Sequence, residues 1–599
     1  MGENNSLLAE DGHDTSGDET GTTYTNVEGK NITITNAKNI KGASDGASLG
    51  MKVTGTKAED GSEKPGTITA KAAGNADITL FGKAASEAID IEAEDLTITS
   101  RGNISNGNYQ AKNALRVHTA QNSTISGGNF SGGTADITNA GKMSGGTYTA
   151  KEKMGITNQG TIENGKYTAH GDLTYTDTAG ASLTDGTLIS KEGKATITAY
   201  GVLQIKKLSA KDSATVEADH DVTLTEAEAG TLAISSGGSV KADTLTATAG
   251  DAKVTAKKDV TIDTLTAEAG GATIEATEGK LDVTTLNAKE HAKLTSGGDM
   301  VLHEAEVGGK LTADAGVSIL AEGKNAKISA DTLEMKAGED IRITDRSPVG
   351  KLDGVDTNTP AGSTTGSGAA GSLITGEAKP HDFDASRKGS ALLSSAGGKV
   401  TLSAKKVEID TLANGEGGTA DLTISADNIG IDNLAGTGAQ HVTIHGKDGQ
   451  SQAHYAGIHS TAEGGTLVKD SKVEHLDLTG REPLGLSNTA IGGDSLLATD
   501  KIRVTIQKNP GSSQAEHFGN LSLSGYDIVT DHVMTNVKDG VTVNGERFPV
   551  TAESVMNASL YEDRTLGRDG REKEEETEKE SPSLAFGAPN EKEAYEVVK

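Results

Sequence analysis

The stretch that decides the fold is Asp259-Val-Thr-Ile-Asp-Thr-Leu-Thr-Ala-Glu-Ala-Gly-Gly-Ala-Thr-Ile-Glu-Ala276, in which two short β-prone runs flank a small-residue turn. Both runs recur along the chain. The second residue of the first run returns about every 20 residues, at Val222, Val240, Val260, Leu281 and Met300. The second run returns at the same interval, at Ile234, Val254, Ile274 and Leu294. Such a fixed period indicates a repeat architecture.

A set of large side chains follows the same period earlier in the chain. Each follows a glycine-rich turn and lies one repeat beyond the one before: Tyr109, Phe130, Tyr148, Tyr167 and Leu188. Within the runs, apolar and polar residues alternate, as in Ile-Thr-Ile at 32–34, which is typical of strands. The sequence therefore predicts an all-β parallel β-solenoid with coils of ~20 residues, in which equivalent side chains stack inside.

Two other structures compete with this interpretation. The net charge of −30 and the 77 glycines would suit a disordered acidic chain. A helical solenoid would also give a long repeat, but the density of threonine, glycine and β-branched residues opposes helix. No proline falls between Pro65 and Pro348, where a continuous ladder of strands would lose a donor at each one. Periodicity and proline placement both favour the β-solenoid.

The repeat divides the chain into segments. We predict a disordered lead at 1–25, a solenoid at 26–345, a flexible insertion or linker at 346–395 and resumed solenoid at 396–436. Residues 437–560 are predicted to be irregular β coils or a capping domain, because repeat arrays need an atypical terminal unit. Residues 561–599 form a highly charged tail for which disorder is the better prediction.

Composition excludes several kinds of function. The chain has no cysteine, so it carries no disulfide, no thiolate metal site and no cysteine nucleophile. With 86 acidic against 56 basic residues, nucleic acid and anionic membranes are unsuitable partners. No apolar window reaches membrane-spanning length, so no membrane insertion is expected. The N-terminus has no signal-peptide pattern, which predicts either an intracellular protein or a fragment whose export signal lies upstream.

The repeat at 259–276 resembles those of filamentous-haemagglutinin-type exoproteins. These are large bacterial adhesins, including leukotoxin-type members, that are exported by two-partner secretion. The resemblance is clearest over 220–435 and weakest in the last part of the chain. It implies a right-handed parallel β-helix, a secreted or bacterial cell-surface location and a role in cell adhesion and virulence. It also implies host-cell glycans or proteins, matrix or other bacterial cells as partners, and an outer-membrane secretion partner for the full-length precursor.

The chain also departs from this family. The family's N-terminal secretion domain and signal peptide are missing, so we expect this chain to be the C-terminal part of a longer exoprotein. An Arg-Gly-Asp motif is absent, and the nearest string is Arg568-Asp569-Gly570. No C-terminal barrel of alternating strands is present, which weakens an autotransporter alternative. No functional residue of the family is therefore carried onto a numbered position.

Four histidines are the first candidate for chemistry: His441, His445, His454 and His459. His441 and His445 would share one strand face, and Asp448 and Glu463 are close in sequence. Zinc binding needs imidazoles that converge at ~2.0–2.1 Å from the ion with carboxylate support. We favour the alternative, in which these are solvated histidines on a loop-rich surface, and we predict no metal site.

Aspartates that precede Thr-Leu or Asn-Leu are the second candidate: Asp243, Asp263, Asp331, Asp410 and Asp432. Stacked carboxylates could serve acid/base chemistry on glycans. A carboxylate that recurs with the repeat is better explained by capping of turn amides, and Asp243 over Asp263 could recruit a cation. Asp382 and Asp384 lie in the predicted insertion, where nothing rigid would position them. Calcium-repeat, P-loop, HExxH and GxSxG motifs are absent.

The leading functional hypothesis is a structural and adhesive rod that displays weak binding surfaces many times, with neither catalytic residues nor a cofactor. One alternative is a toxin or effector-bearing exoprotein whose activity lies in 437–560. Another is a glycan-active β-helix enzyme, although the scattered aromatic residues argue against a lyase groove. The period predicts the fold class closely, while many functions share this fold.

Overall fold

The computed structural model describes residues 67–345 and 390–491, with gaps at 82–83, 86–87, 323–325 and 488, and isolated strand segments outside these ranges. The described part is all-β, with parallel strands that form a β-solenoid and no helix. This confirms the predicted fold class. The chain divides into two compact units, residues 1–279 and 280–599.

The strands of the first unit are short at first and lengthen where one strand runs around several faces of a coil. Their bounds are Asn5–Leu8, Asn26–Gly29, Ile32–Ala37, Leu49–Val53, Thr56–Lys57, Glu63–Lys64, Thr67–Ala72, Ala76–Phe81, Ala84–Ala85, Ala88–Ala93, Leu96–Ser100, Asn103–Ser105, Asn108–Ala111, Ala114–Thr119, Thr124–Ser126, Asn129–Gly132, Thr134–Asn139, Lys142–Ser144, Thr147–Ala150, Met154–Asn158, Thr161–Glu163, Lys166–Ala169, Leu173–Asp177, Ser182–Ser190, Ala195–Ala199, Val202–Ala218, Val222–Ser236, Val240–Ala247, Ala252–Ala256, Val260–Ala267 and Ala272–Ala276.

The strands of the second unit follow the same pattern. Their bounds are Leu281–Ala288, Ala292–Ser296, Met300–Ala315, Ile319–Glu322, Lys327–Ala337, Asp340–Thr344, Leu392–Ser403, Lys406–Asn414, Ala420–Ser425, Asn428–Ala435, Gln440–His445, Ala453–Ser460, Thr466–Lys469, Lys472–Gly480, Leu484–Ser487, Ala490–Ile491, Ser495–Thr499, Arg503–Gln507, Leu521–Ser524, Asp527–Thr530, Val541–Val543, Glu546–Phe548, Val555–Met556, Ser559–Leu560 and Phe586–Gly587.

Each coil of the first unit contributes three strand segments, one to each of three parallel stacks. Met154–Asn158 pairs with Leu173–Asp177 of the next coil, and Thr161–Glu163 and Lys166–Ala169 both pair with Ser182–Ser190. All three pairings are parallel and in register. Successive strands of a sheet lie about 4.7–4.9 Å apart, so equivalent residues of neighbouring coils are in contact.

The predicted column of large residues is confirmed in the interior. Tyr109 pairs with Phe130, Phe130 with Tyr148, Tyr148 with Tyr167 and Tyr167 with Leu188. All five side chains are buried, and the aromatic rings stack with centroids 4.3, 4.6 and 4.7 Å apart. Each aromatic pair is worth ~0.5–1.5 kcal/mol beyond its buried area. The turn before each ring needs glycine for space, since a Cβ on Gly165 would lie 2.5 Å from the Tyr167 ring.

The two aliphatic series are confirmed as interior columns in the same way. Val222 pairs with Val240 and Val240 with Val260, while Val254 lies between Ile234 and Ile274. In the second unit Leu281 pairs with Met300. These side chains are buried, and alanines fill many of the neighbouring interior positions. The narrow interior accounts for a chain rich in small residues and without tryptophan.

The second unit continues its coils across the predicted insertion. Ile328 pairs with Leu393, and Ile341 pairs with Val407, so strands on either side of the insertion stack directly. The described chain resumes at Ser390, whose backbone amide donates to Asp345 Oδ2 at 2.9 Å. Strand Leu392–Ser403 therefore begins inside the range 346–395, and the sequence placed the return to the solenoid a few residues late. Residues 346–389 lie outside the described residues.

Parallel pairing also continues into the segment predicted to be irregular coils or a cap. Ala420–Ser425 pairs with Gln440–His445, which pairs with Thr466–Lys469, and the latter pairs with Leu484–Ser487. The described part of 437–560 up to Ser487 is therefore solenoid. Val541–Val543 and Glu546–Phe548 form an antiparallel pair further along. Most of 1–25 and 561–599 lies outside the described residues.

The aromatic column gives a first prediction. Tyr148→Ala removes a ring that stacks on both Phe130 and Tyr167, and we expect it to destabilise the first unit by about 3–5 kcal/mol. Tyr148→Leu is the matched control, because leucine occupies the same column at Leu188 and should cost clearly less. Denaturant unfolding and amide exchange of the flanking strands measure both. Equal losses for the two variants would show that apolar volume at this position does not matter and would contradict the packing cost assigned to Tyr148→Ala.

The insertion gives a second prediction. Replacing 346–389 by a short Gly/Ser linker should leave the circular dichroism spectrum and the melting temperature nearly unchanged. The reason is that Asp345 and Ser390 are already hydrogen-bonded to each other, so a short linker spans them without strain. Unfolding of the second unit in this variant would show that the coils depend on the replaced segment.

Candidate functional site

A column of buried polar side chains runs along one corner of the first unit. Its members occupy equivalent positions at the ends of successive strands and pair in register: Ser100, Thr119, Asn139, Asn158 and Asp177. Each is almost completely buried. Buried polar groups must be hydrogen-bonded to offset the loss of water.

The two asparagines satisfy this requirement by capping turns and by bonding to each other. Asn139 Nδ2 donates to Asn158 Oδ1 at 2.8 Å, and Asn158 Nδ2 donates to Tyr175 Oη at 3.0 Å. Each asparagine Oδ1 also accepts the amide of the glycine two residues later, at 3.2 Å from Gly141 and Gly160. The column thus fixes the turns at this corner from the inside.

Asp177 is the last carboxylic or amide side chain of this column. Its Oδ2 accepts from Tyr175 Oη at 3.2 Å, and its Oδ1 accepts the backbone amides of Tyr200 at 2.5 Å and Gly201 at 3.2 Å. Burial raises the pKa of Asp177 above its ordinary value, and these three hydrogen bonds oppose the rise. The buried carboxyl therefore holds the turn that carries Tyr200.

In the coils after Asp177 the side chains at this corner are smaller, and the surface there has a depression. The next in-register positions are Ala199, Ala218 and Ser236. A shallow depression of about 400 Å³ lies over them, and its outer lining includes Thr198, Tyr200, Glu217, Asp219 and Ser235. Its volume lies in the usual range for ligand sites, although it is open rather than enclosed. We call it the Tyr200 depression.

An exposed aromatic residue marks the rim of this depression. Tyr200 is 44% exposed, and Val202, two residues later, is 53% exposed. Among the described residues the only other exposed large hydrophobic side chain is Val317. None of the lining residues is a lysine or arginine, so Glu217 and Asp219 give the depression a negative charge. The combination of an exposed ring and carboxylates is a candidate binding site.

Ion pairs between neighbouring coils cover other parts of the surface. Lys142 Nζ lies 2.8 Å from Glu163 Oε2, and Lys405 Nζ lies 2.5 Å from Glu339 Oε1. The Lys405 ammonium holds the pKa of Glu339 below its ordinary value. Exposed pairs of this kind contribute ~0–1 kcal/mol each, so they adjust coil stacking rather than determine it.

The four candidate histidines are divided between two stacks. His441 and His445 share the outer face of Gln440–His445, as predicted, while His454 and His459 lie on Ala453–Ser460. Lys469 Nζ donates to His441 Nδ1 at 2.9 Å, His454 Nδ1 lies 2.6 Å from Glu474 Oε2, and His459 Nδ1 lies 2.9 Å from Thr479 Oγ1. Different partners therefore hold three of the imidazoles apart.

His445 and the nearby acidic residues do not complete a metal site. Burial, with the Lys472 charge, lowers the pKa of His445, and its buried Nδ1 has no hydrogen-bond partner in the described structure. Asp448 accepts the amides of Gln450 and Ser451, which keep its pKa below the ordinary value. Glu463 is exposed. No group of three or more metal-ligating side chains occurs in the described ranges.

The candidate aspartates have different environments. Asp410 and Asp432 occupy equivalent strand positions, whereas Asp331 follows Ala330, which aligns with Ser395. Asp243 and Asp263 are exposed at equivalent positions, and Asp331 is also exposed. Asp410 is buried, and it accepts from Thr344 Oγ1 at 2.9 Å and from the Asp345 amide at 2.8 Å. Asp410 thus caps the chain where the insertion begins. Asp432 is partly buried, and Asp382 and Asp384 lie outside the described residues.

Other aspartates, which the sequence analysis missed, cap amides between coils. Asp172 Oδ1 accepts the Lys194 amide at 2.9 Å, Asp221 the Ser239 amide at 2.7 Å and Asp251 the Gly271 amide at 2.8 Å. The column at Asn139, Asn158 and Asp177 was also missed. Its signal was the recurrence of Asn or Asp directly after threonine, one coil apart each time.

The chain has no match among protein-family models, curated proteins or solved structures. Within the described residues, no helix has the length and apolar character to cross a membrane.

Asp177 gives a third prediction. Asp177→Ala leaves the amides of Tyr200 and Gly201 without their acceptor, which should cost about 1–3 kcal/mol and speed the exchange of these two amides. Asp177→Asn keeps an acceptor oxygen and should protect both amides. Hydrogen exchange with mass spectrometry measures this, and Asp219→Ala on the surface is the control. Unchanged exchange in Asp177→Ala would contradict the anchoring role.

The same residue gives a prediction for pH. Because the pKa of Asp177 is raised by folding, the folded state holds this proton more tightly than the unfolded state. The stability of the wild type relative to Asp177→Asn should therefore be greatest at low pH and fall as pH rises through the raised pKa. Denaturant unfolding of both proteins at a series of pH values measures it. A wild-type advantage that grows with pH would have the wrong sign.

Proposed function

We propose that this chain is a β-solenoid scaffold that displays weak binding surfaces many times and thereby attaches to other surfaces. It is an adhesin-like structural protein rather than an enzyme. The observation that carries this proposal is the repetition of outward-facing side chains on successive coils.

Both units present columns of outward threonines. In the first unit Thr138, Thr157 and Thr176 pair in register, and Thr198 continues the column. In the second unit a column is formed by Thr401, Thr423 and Thr443. All of these side chains are at least partly accessible to solvent. The strand spacing of about 4.7–4.9 Å sets the distance between neighbouring threonines in a column.

Repetition turns weak contacts into useful attachment. Once one coil has bound a surface, its neighbours are held close to further copies of the ligand at a high effective concentration. A stiff array of paired strands holds these groups in fixed geometry, so little entropy is lost at each further contact. The net charge of −30 limits association between copies of the chain.

The resemblance of the repeat supports a location and a class of partner within this proposal. We propose that the protein acts outside the bacterial cell, exported with the help of an outer-membrane partner. The surfaces it binds are proposed to be host-cell glycans or proteins, matrix or other bacterial cells.

A fifth prediction tests multivalency with two matched blocks. One variant carries Thr→Gln at Thr138, Thr157 and Thr176, the other carries Thr→Gln at Thr401, Thr423 and Thr443, and a third combines both. Glutamine is larger but uncharged, so the net charge is unchanged. Flow cytometry of labelled full chain on cultured cells measures binding, and circular dichroism checks folding.

Each block alone should weaken binding by about 2- to 10-fold, and the combined variant by more than either, because contacts act through effective concentration. Complete loss with one block and no effect of the other would indicate a single compact site and overturn the multivalent mechanism. Full binding by the combined variant would show that the threonine columns do not contact the partner.

A further inference from the structure

We propose that the Tyr200 depression binds a saccharide that carries a free ammonium group, such as a deacetylated hexosamine unit. This names a ligand class for one surface of the proposed scaffold and rests on that function. Four features of the depression support it: an exposed ring on an anchored backbone, a purely negative charge, polar side chains spread over three coils, and an open shape.

The backbone that carries the aromatic ring is held from inside the solenoid. Asp177 accepts both the Tyr200 and the Gly201 amides, so the backbone that carries the ring is tied to a buried carboxyl. A Cβ on Gly201 would collide with the Ala181 carbonyl oxygen, so the chain packs tightly just after the ring. The ring is nevertheless 44% exposed. An accessible ring on an anchored backbone suits a ligand with an apolar face or a positive charge.

The negative charge of the depression favours a positively charged ligand. Glu217 and Asp219 are exposed on one strand and the turn that follows it, beside Tyr200, and no lysine or arginine lines the depression within the described structure. An ammonium group would donate charge-assisted hydrogen bonds to the carboxylates and make a cation–π contact with the ring. Sulfated or carboxylated sugars would be repelled by the same carboxylates.

The arrangement of the polar groups favours a sugar ring over a single ammonium tip. Thr198 pairs in register with Glu217, and Glu217 pairs with Ser235, so the three side chains lie on successive strands. At the strand spacing they extend over roughly 10 Å. A pyranose carries polar groups on most of its ring carbons and can reach such separated partners. A lysine side chain of a protein would use only one of them.

Openness implies weak binding. The depression is shallow, so much of a bound sugar would stay in water, and we expect affinity for a short oligosaccharide on the order of 1 mM. Such an affinity is useful only when several sites act together, which agrees with the multivalent scaffold.

The test uses the full chain and soluble oligosaccharides, with ligand-observed saturation-transfer NMR as the readout. Fully deacetylated chito-oligosaccharide is compared with the N-acetylated form of equal length, with heparin fragments and with short polylysine. The variants are Tyr200→Ala, Tyr200→Phe and the pair Glu217→Gln with Asp219→Asn. Glu152→Gln with Glu268→Gln is the charge-matched control, because both residues are exposed away from the depression.

The deacetylated oligosaccharide should bind, and its affinity should fall about 3- to 30-fold in Tyr200→Ala but little in Tyr200→Phe. The double carboxylate variant should lose more than about tenfold, and the control pair should stay within about twofold. Equal binding of the N-acetylated form would overturn the ammonium requirement. Equal binding of polylysine with the same dependence on Tyr200 would overturn the assignment of a saccharide as the ligand.

Failure of this site is distinguishable from failure of the scaffold function. If Tyr200→Ala has no effect on oligosaccharide binding but the threonine blocks still weaken cell attachment, only the Tyr200 site is overturned. If cell attachment is absent while oligosaccharide binding depends on Tyr200 and the carboxylates, the site stands and the adhesive role falls.

Discussion

Parallel, in-register pairing between successive coils is the constraint on which the rest of this structure depends. Each coil pairs with the next at equivalent residues, so a side chain at one position is flanked by the side chains one coil before and after it. A single coil cannot bury its own interior face, and stability is therefore shared between neighbours. This is why Tyr109, Phe130, Tyr148 and Tyr167 form one stack.

The sequence predicted those interior columns in which the same type of side chain returns in every coil. The column from Tyr109 to Leu188 was visible because large apolar residues return at each coil, and apolar identity is enough to place them inside. The buried polar column was hidden because its members change from serine to threonine, asparagine and aspartate. The capping aspartates at Asp172 and Asp251 were missed for a related reason. They stand before the strand rather than in the Asp-Thr-Leu pattern that drew attention to Asp243.

The surface site was the least predictable part. Tyr200 is one of several tyrosines in the sequence, and only the structure shows that it leaves the interior. Its backbone amide is held by Asp177, which lies one coil away, and the small residues Ala199 and Ala218 line the depression beside it. Neither feature is visible in the sequence around Tyr200, because both involve residues on different coils. The structure thus connects an interior polar column to a surface ring through two hydrogen bonds that the Tyr200 and Gly201 amides donate to the Asp177 carboxylate.

The interruption in the second unit has a consequence for how the chain folds. Most coils close on a partner about one repeat away, as Asn139 does with Asn158 at a separation of 19, whereas Thr344 reaches Asp410 across 66 residues. Loop-closure entropy grows with the logarithm of length, so this one step costs about 1 kcal/mol more than its neighbours. A folding front that advances coil by coil should slow here and proceed normally afterwards. Folding would therefore slow at one fixed position in the chain. In the folded protein the strands at this position pair as regularly as elsewhere.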